Sequence, residues 1–237
     1  MALTDSLVGY WTLDEASGTR ADSHGSNTLT DNNTVGSATG KLNNAGSFVI
    51  ANSEYLSIAD NAALSMGAGV SMTLTAWVYI ANVATTNGIL SKCSGFTAAN
   101  YEYGLDWRPD GAPNSFRFLV SNGTTLTQLR PAFTASNNTW YFLAAWLDNA
   151  GNTLNMQINN GTPTSVAHTA DIRDSSGQFE IGRDLASFFM GGRIDEVGVW
   201  KRVLTDDERT FLYGAGTPPA HPWSTPSTFL PQAILCA

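Results

Sequence analysis

The chain has 237 residues, 43% of them hydrophobic and only 14% charged, with a formal net charge of −8 at pH 7. An acidic surface repels a phosphate backbone, which argues against a nucleic acid partner. No stretch approaches the ~20 consecutive apolar residues of a membrane-spanning helix, so membrane insertion of that kind is not expected. The length suits one large all-β domain, because such folds often exceed 200 residues as a single unit. Polarity comes mainly from Ser, Thr, Asn and Gly, the residues of short strands and tight turns. Cys93 and Cys236 are the only cysteines; two are too few for a disulfide framework and suggest synthesis in a reducing compartment. The opening Met1-Ala2-Leu3-Thr4-Asp5-Ser6 has neither the basic nor the apolar region of a secretory leader.

In chain order, the opening Leu7-Val8-Gly9-Tyr10-Trp11 precedes a turn-rich stretch with Ser17-Gly18 and Asp22-Ser23-His24-Gly25. Phe48-Val49-Ile50 and Tyr55-Leu56-Ser57-Ile58 bracket a turn at Asn52-Ser53. From Met72 to Ile80 residues alternate with period two, the signature of a strand. Ile89 to Lys92, Tyr101 to Leu105 and Ser115 to Val120 read as further strands. Trp140 to Leu147 is apolar on both faces and predicts a central, covered strand. Leu154, Met156 and Ile158 alternate up to Asn159-Asn160-Gly161, a hairpin signal. Phe179 to Arg183 and Ile194 to Trp200 complete a set of roughly a dozen short strands, which means a sandwich or barrel.

Thr205-Asp206-Asp207-Glu208 predicts a helix start. Thr205 caps the orphan amides, Glu208 closes the capping box, and the acids sit at the positive end of the dipole. The helix runs about two turns to Gly214. Beyond Gly216 the repeated prolines break regular structure, yet Trp223, Phe229, Leu230, Ile234 and Leu235 are more apolar than a flexible linker needs. Such a tail packs on its own domain or docks on a partner.

The two ends carry a matched pair of motifs: Leu7 to Glu15, and Gly191-Gly192-Arg193-Ile194-Asp195-Glu196-Val197-Gly198-Val199-Trp200. With Ser71 to Tyr79 and Trp140 to Gly161 between them, the chain resembles the laminin-G-like jelly-roll domains of the concanavalin A-like lectin and glucanase superfamily, over about Leu7 to Gly214. The resemblance implies an all-β fold, a sandwich of two antiparallel sheets of about six or seven strands, with the chain termini meeting on one edge. It divides the chain into a jelly-roll domain, residues 1–215, and an extended Pro-rich tail, residues 216–237. Members often hold a structural calcium where the termini meet, and by resemblance Asp22, Asn27 and Asp195 would supply its oxygens. Read without the resemblance, Asp22 makes an Asx turn and Asp195 accepts hydrogen bonds from that loop.

The glucanases of the superfamily carry Glu-x-Asp-x-x-Glu on one strand, and no such run occurs here. Glu102 with Asp106, and Glu180 with Asp184, have other spacings and read as solvated surface pairs. No zinc, nucleophile-elbow or P-loop motif is present either. A binding surface is the stronger expectation. Aromatic rings that face sugar rings, with polar groups for hydroxyls, point to Tyr101, Tyr103, Trp107, Arg108 and Asp110, and to Phe188 and Phe189 in a loop before Gly191. Trp77, Trp140 and Trp146 are assigned to the core.

The expectation is therefore a non-catalytic, surface-exposed binding or assembly module on a bacteriophage virion, as a capsid decoration or fibre-associated protein. There the tail would dock through Trp223, Phe229 and Leu230 on other virion proteins or a second copy, and the loops would face a host glycan. A secreted bacterial carbohydrate-binding domain and a divergent glycoside hydrolase or lyase are the alternatives.

Overall fold

The computed structural model describes residues 1–110, 114–184 and 187–223. Its strands begin with β1 (Leu7–Trp11), β2 (Thr30–Asn32), β3 (Gly36–Thr39), β4 (Asn44–Phe48), β5 (Tyr55–Ile58) and β6 (Met72–Ile80). Next come β7 (Asn87–Cys93), β8 (Tyr101–Arg108), β9 (Ser115–Ser121), β10 (Leu126–Leu129), β11 (Thr139–Asp148) and β12 (Thr153–Ile158). The last are β13 (Thr164–Ala167), β14 (Gln178–Ile181), β15 (Arg183–Asp184), β16 (Phe188–Phe189) and β17 (Gly192–Trp200), followed by helix α1 (Asp206–Tyr213). Seventeen strands among the described residues exceed the dozen expected, because β2, β3, β10, β13, β15 and β16 span only two to four residues. Pieces that short show no readable period.

An eight-stranded antiparallel sheet runs β13-β12-β11-β6-β17-β4-β3, with β1 also paired to β17; a seven-stranded sheet runs β10-β9-β8-β7-β14-β5-β2. The main core lies between them. Leu74, Val78, Leu143, Ala145 and Val199 of one sheet meet Tyr103, Leu105, Trp107, Phe118 and Phe179 of the other. The β11 strand is central and covered on both faces, as its double apolar pattern predicts. Tyr141, Leu143 and Ala145 face the main core, while Phe142 and Ala144 enter a second cluster with Tyr10, Trp77, Trp200 and Leu212. That second cluster forms on the far face of the eight-stranded sheet, beneath α1 and the terminal segments. Each fully buried large apolar side chain contributes roughly 1.5–3 kcal/mol, so this outer layer is a substantial part of the fold.

The terminal motifs have structural causes. The register of β17 slips between Asp195 and Gly198, and Glu196 takes a left-handed backbone with φ 50°. This bulge divides β17 into a half paired to β4 and a half paired to β1. The expected meeting of the chain ends is thus an antiparallel β1–β17 ladder. Helix α1 begins with the predicted reciprocal capping box of Thr205 and Glu208 and ends at Gly214, φ 57°.

Two expectations need correction here. Phe48 ends β4, and Ile50–Asn52 form a short helical turn, so Val49 and Ile50 are not strand residues. Trp223 does not stand ready for a partner: it stacks on Trp200 (6.2 Å), meets Tyr10 edge-on (4.7 Å) and joins the second cluster of its own domain. Phe229 and Leu230 lie outside the described residues.

Candidate ligand-binding face

The outer face of the seven-stranded sheet gathers the polar side chains that β-alternation turns away from the core. On β8, Tyr103, Leu105 and Trp107 point inward, leaving Gly104, Asp106 and Arg108 on the outer side. Asp106 is fully buried and accepts from Arg117 of β9 (Nε 3.0 Å, Nη2 2.6 Å) and from Arg108 Nε (2.6 Å). Burial opposes the Arg117 charge, but Asp106 outweighs it and holds the guanidinium pKa above its ordinary value.

The β15–β16 hairpin lies across this face. A Cβ at Gly88 of β7 would overlap the Phe188 carbonyl oxygen and the Asp184 amide nitrogen, so only glycine permits so close an approach. The hairpin brings Asp184 down to Tyr101, whose hydroxyl donates to Asp184 Oδ1 at 2.9 Å. Asp184 Oδ2 has no hydrogen-bond partner and stands 3.9 Å from both Arg108 and Arg117. Burial, and then the Asp106 charge, push the Asp184 carboxyl well above the usual range. On the upper side Phe188 covers the Arg108 guanidinium at 4.1 Å and meets Phe96 edge-on at 6.1 Å. Phe96 is 54% exposed.

A second set lies beside it. On β14, Phe179 and Ile181 enter the core, and Gln178 and Glu180 face outward. Glu180 pairs in two-pronged fashion with Arg183, through Nε at 2.7 Å and through Nη2, and accepts from Gln178. The Arg183 guanidinium stacks over Tyr55 at 3.6 Å, with Phe189 at 5.8 Å. Along this second set runs a groove of about 440 Å³ lined by Asp60, Cys93, Ser94, Gln178, Glu180 and Arg183, among others. Beneath it the buried Lys92 ammonium binds Asp60 (2.6 Å) and Glu102 (3.0 Å). Burial raises the Glu102 carboxyl even so, although Met66 and Ser175 amides and Lys92 pull it back.

Of the predicted ligand residues, Tyr101, Arg108 and Phe188 converge on this face, and Phe189 flanks the groove. Asp110 sits at its margin, 4.0 Å from Arg108 and 3.6 Å from Arg130. Tyr103 and Trp107 belong to the core; Trp107 borders a separate cavity of about 450 Å³ with Val83 and Phe133 at one end of the sandwich. Glu102, Asp106, Glu180 and Asp184 are not solvated surface pairs: all four are buried in ion-paired or hydrogen-bonded positions. The sequence reading missed Tyr55, Phe96, Arg117, Gln178 and Arg183. One signal was present: a charge at every second position, Asp106 and Arg108, inside an apolar strand.

The three expected calcium ligands take different hydrogen-bond partners. Asp22 and Asn27 meet as acceptor and donor, with Asn27 Nδ2 3.1 Å from Asp22 Oδ2. Asp22 also accepts the Tyr10, His24 and Asn27 amides. Burial raises its pKa, but these backbone donors outweigh it and leave the carboxyl below its ordinary value. Asp195 instead accepts the Lys41 and Leu42 amides at 2.7 and 3.0 Å, and its Oδ1 has no partner. Among the described residues no group of three or more His, Cys, Asp or Glu is placed to hold a metal ion.

A laminin-G-type family model described as the concanavalin A-like lectin/glucanases superfamily matches residues 51–208. Among solved structures, the chain is similar to the binding domain of Paraclostridial Mosquitocidal Protein 1 (TM-score 0.72, 13% identity, covering 89% of this chain and 52% of that one). It is also similar to domain 4 of AbnA, an extracellular GH43 arabinanase of Geobacillus stearothermophilus, in complex with arabinotriose (TM-score 0.68, 17% identity, 86% of this chain and 97% of that one). A third is the ligand binding domain of botulinum neurotoxin serotype D in complex with N-acetylneuraminic acid (TM-score 0.64, 12% identity, 91% and 55%). The chain therefore spans about half the length of these toxin binding domains and nearly all of the arabinanase domain. No curated protein sequence matches it. At these identities the likenesses establish the fold.

Proposed function

This chain belongs to the concanavalin A-like lectin/glucanases superfamily, and on that premise we propose that it is a non-catalytic carbohydrate-binding module displayed on an exterior surface, a virion or a secreted protein. The observation that carries the reading is the groove on the outer face of the seven-stranded sheet. Its lining includes three planar polar groups, the Gln178 amide, the Glu180 carboxylate and the Arg183 guanidinium. Aromatic rings adjoin its lining residues, Tyr55 and Phe189 at Arg183, and Phe188 packed with the cluster of Cys93 and in turn against Phe96. Sugars present an apolar face of C–H bonds and an edge of hydroxyls, so such a site satisfies both with few, well-placed polar groups. Held planar groups lose little entropy on binding, which favours affinity.

The same groups support the non-catalytic part. A retaining hydrolase needs a nucleophile and an acid about 5–5.5 Å apart, both open to the glycosidic bond. Here Asp106 is held by two arginines, Glu180 by Arg183 and Gln178, and Asp184 is covered by its own hairpin. Domain 4 of the arabinanase, solved in complex with arabinotriose and nearly all of which this chain spans, makes arabino-oligosaccharides the first probes. The test is calorimetric titration of the full chain with neutral oligosaccharides, beside Phe96→Ala and Arg183→Ala. Saturable binding weakened about tenfold or more by each variant, a loss of roughly 1.4 kcal/mol, is expected. No binding to any glycan, or variants indistinguishable from the parent, overturns the reading.

A further inference from the structure

Resting on that carbohydrate reading, we infer that the glycan this groove accepts is uncharged. The ion pairing of the face carries the inference. A uronate or sialate carboxylate is recognised by a cation with donors to spare, most often a guanidinium presenting its fork. Among the described residues of this face every lysine and arginine stands against a carboxylate, with Arg108 and Arg117 sharing Asp106. Arg183 spends Nε and Nη2 on Glu180. Arg117 spends Nε and Nη2 on Asp106, which also takes Arg108 Nε. Arg130 has Asp110, and Lys92 is enclosed by Asp60, Glu102 and the carbonyls of Ser175 and Gly177. Arg173, on the adjoining loop, donates to the Ala99 and Asp174 carbonyls and does not line the groove.

The acids, by contrast, reach the groove. Asp60 lines it with its side chain 37% exposed, and Glu180 lines it from β14. Glu180 is buried and matched by Arg183, so an incoming carboxylate would meet Asp60 as the exposed acid. Among the described residues lining the groove it would meet no cation without a carboxylate beside it, within a molecule whose net charge is −8. Like charges juxtaposed in this way discriminate against a ligand by repulsion. Neutral hydroxyls face no such penalty, since a carboxylate oxygen accepts from O–H and a guanidinium N–H donates to the sugar oxygen. Arg183 then acts as a specificity-determining residue: Glu180 cancels its charge and leaves it a flat hydrogen-bonding platform.

The experiment uses the full chain against matched oligosaccharide pairs, one neutral and one bearing a uronate or sialate, at low and high salt. Neutral members should bind with affinity changing less than about twofold between the two salts, and the acidic members at least about tenfold more weakly, as repulsion of unscreened like charges requires. A second arm uses Glu180→Gln, which keeps the shape and an acceptor for Arg183 but removes the cancelling charge. That variant should gain about tenfold for the acidic members, and the gain should fall with salt. Tighter, salt-sensitive binding of acidic members by the parent chain overturns this inference while leaving the carbohydrate reading standing. Binding of neither member overturns both, and a Glu180→Gln variant with unchanged selectivity overturns the role given to Arg183.

Discussion

Asp195 and Glu196 show how much a single motif can carry. Asp195 ties the loop at Lys41 and Leu42 to β17, and Glu196 accepts the Tyr10 hydroxyl of β1. Both also keep one buried oxygen without a partner, Asp195 Oδ1 and Glu196 Oε1. Burial is the main reason that Asp195 is pushed up to about 7 and Glu196 to about 8, with Asp14 adding its charge to both. An acid whose folded pKa exceeds its unfolded value keeps its proton longer in the native state, so these groups stabilise the fold at low pH. That stability is lost as pH rises from about 4, where the unfolded carboxyls ionise, through about 7 to 8, where the folded ones do. Asp22 and Glu208 run oppositely. Burial raises each, but hydrogen-bond donors lower both overall, so their contribution disappears in strong acid. The melting temperature should therefore fall between pH 5 and pH 8 when measured in chelator, so that no divalent ion competes with the proton. Asp195→Asn, which keeps the acceptor for Lys41 and Leu42, should flatten that slope. A profile equally steep in the variant would show that Asp195 is not the titrating group.

At the level of elements, the β15–β16 hairpin decides whether the face exists at all. It supplies Arg183, Phe188 and Phe189, and it rests on a backbone approach that only Gly88 allows. Gly88→Ala should push the hairpin off β7, costing about 1–3 kcal/mol as overpacked sites do and weakening oligosaccharide binding more than tenfold. Chemical denaturation and titration of the same variant check both. Unchanged binding would show that the hairpin does not build the groove. The sequence made the long elements legible for a physical reason. β6, β11 and β17 repeat their pattern over nine or ten residues, and the α1 capping box is a local signal complete within four. The hairpin was not legible, since two-residue strands have no period and Phe188-Phe189 read as loop. Nor were the ion pairs: Asp106 meets Arg117 through the pairing of β8 with β9, and Glu180 lies four residues from Asp184 yet serves a different arginine. Tyr103 and Trp107 misled because aromatic content alone does not say which face of a strand a residue occupies. The neighbours Gly104, Asp106 and Arg108 did say it, since a strand that places those outward must turn Tyr103 and Trp107 in.

Across the molecule, the two sheets have been given different work. The outer face of the eight-stranded sheet is closed by α1, Leu3, Leu7 and the segment reaching Trp223, while the outer face of the seven-stranded sheet carries the groove. The tail question raised by the sequence is answered as far as Trp223: His221 stacks on Tyr10 at 5.0 Å and Trp223 on Trp200 at 6.2 Å. Those contacts join the C-terminal segment to both strands of the β1–β17 ladder, so they should stabilise the joining of the chain ends. Trp223→Ala removes a large ring from this layer and should cost about 2 kcal/mol, below the fully buried range because the ring keeps some exposure. Truncation after Gly214 should cost at least as much, since it also removes His221. Neither change touches the opposite sheet, so oligosaccharide affinity at a temperature well below melting should stay within about twofold, as expected for sites with no shared partners. Denaturant titration and calorimetry on both variants separate the outcomes. A melting curve unmoved by Trp223→Ala would return the segment to partner docking, whereas loss of binding in a folded variant would mean that the two faces communicate through the core between them.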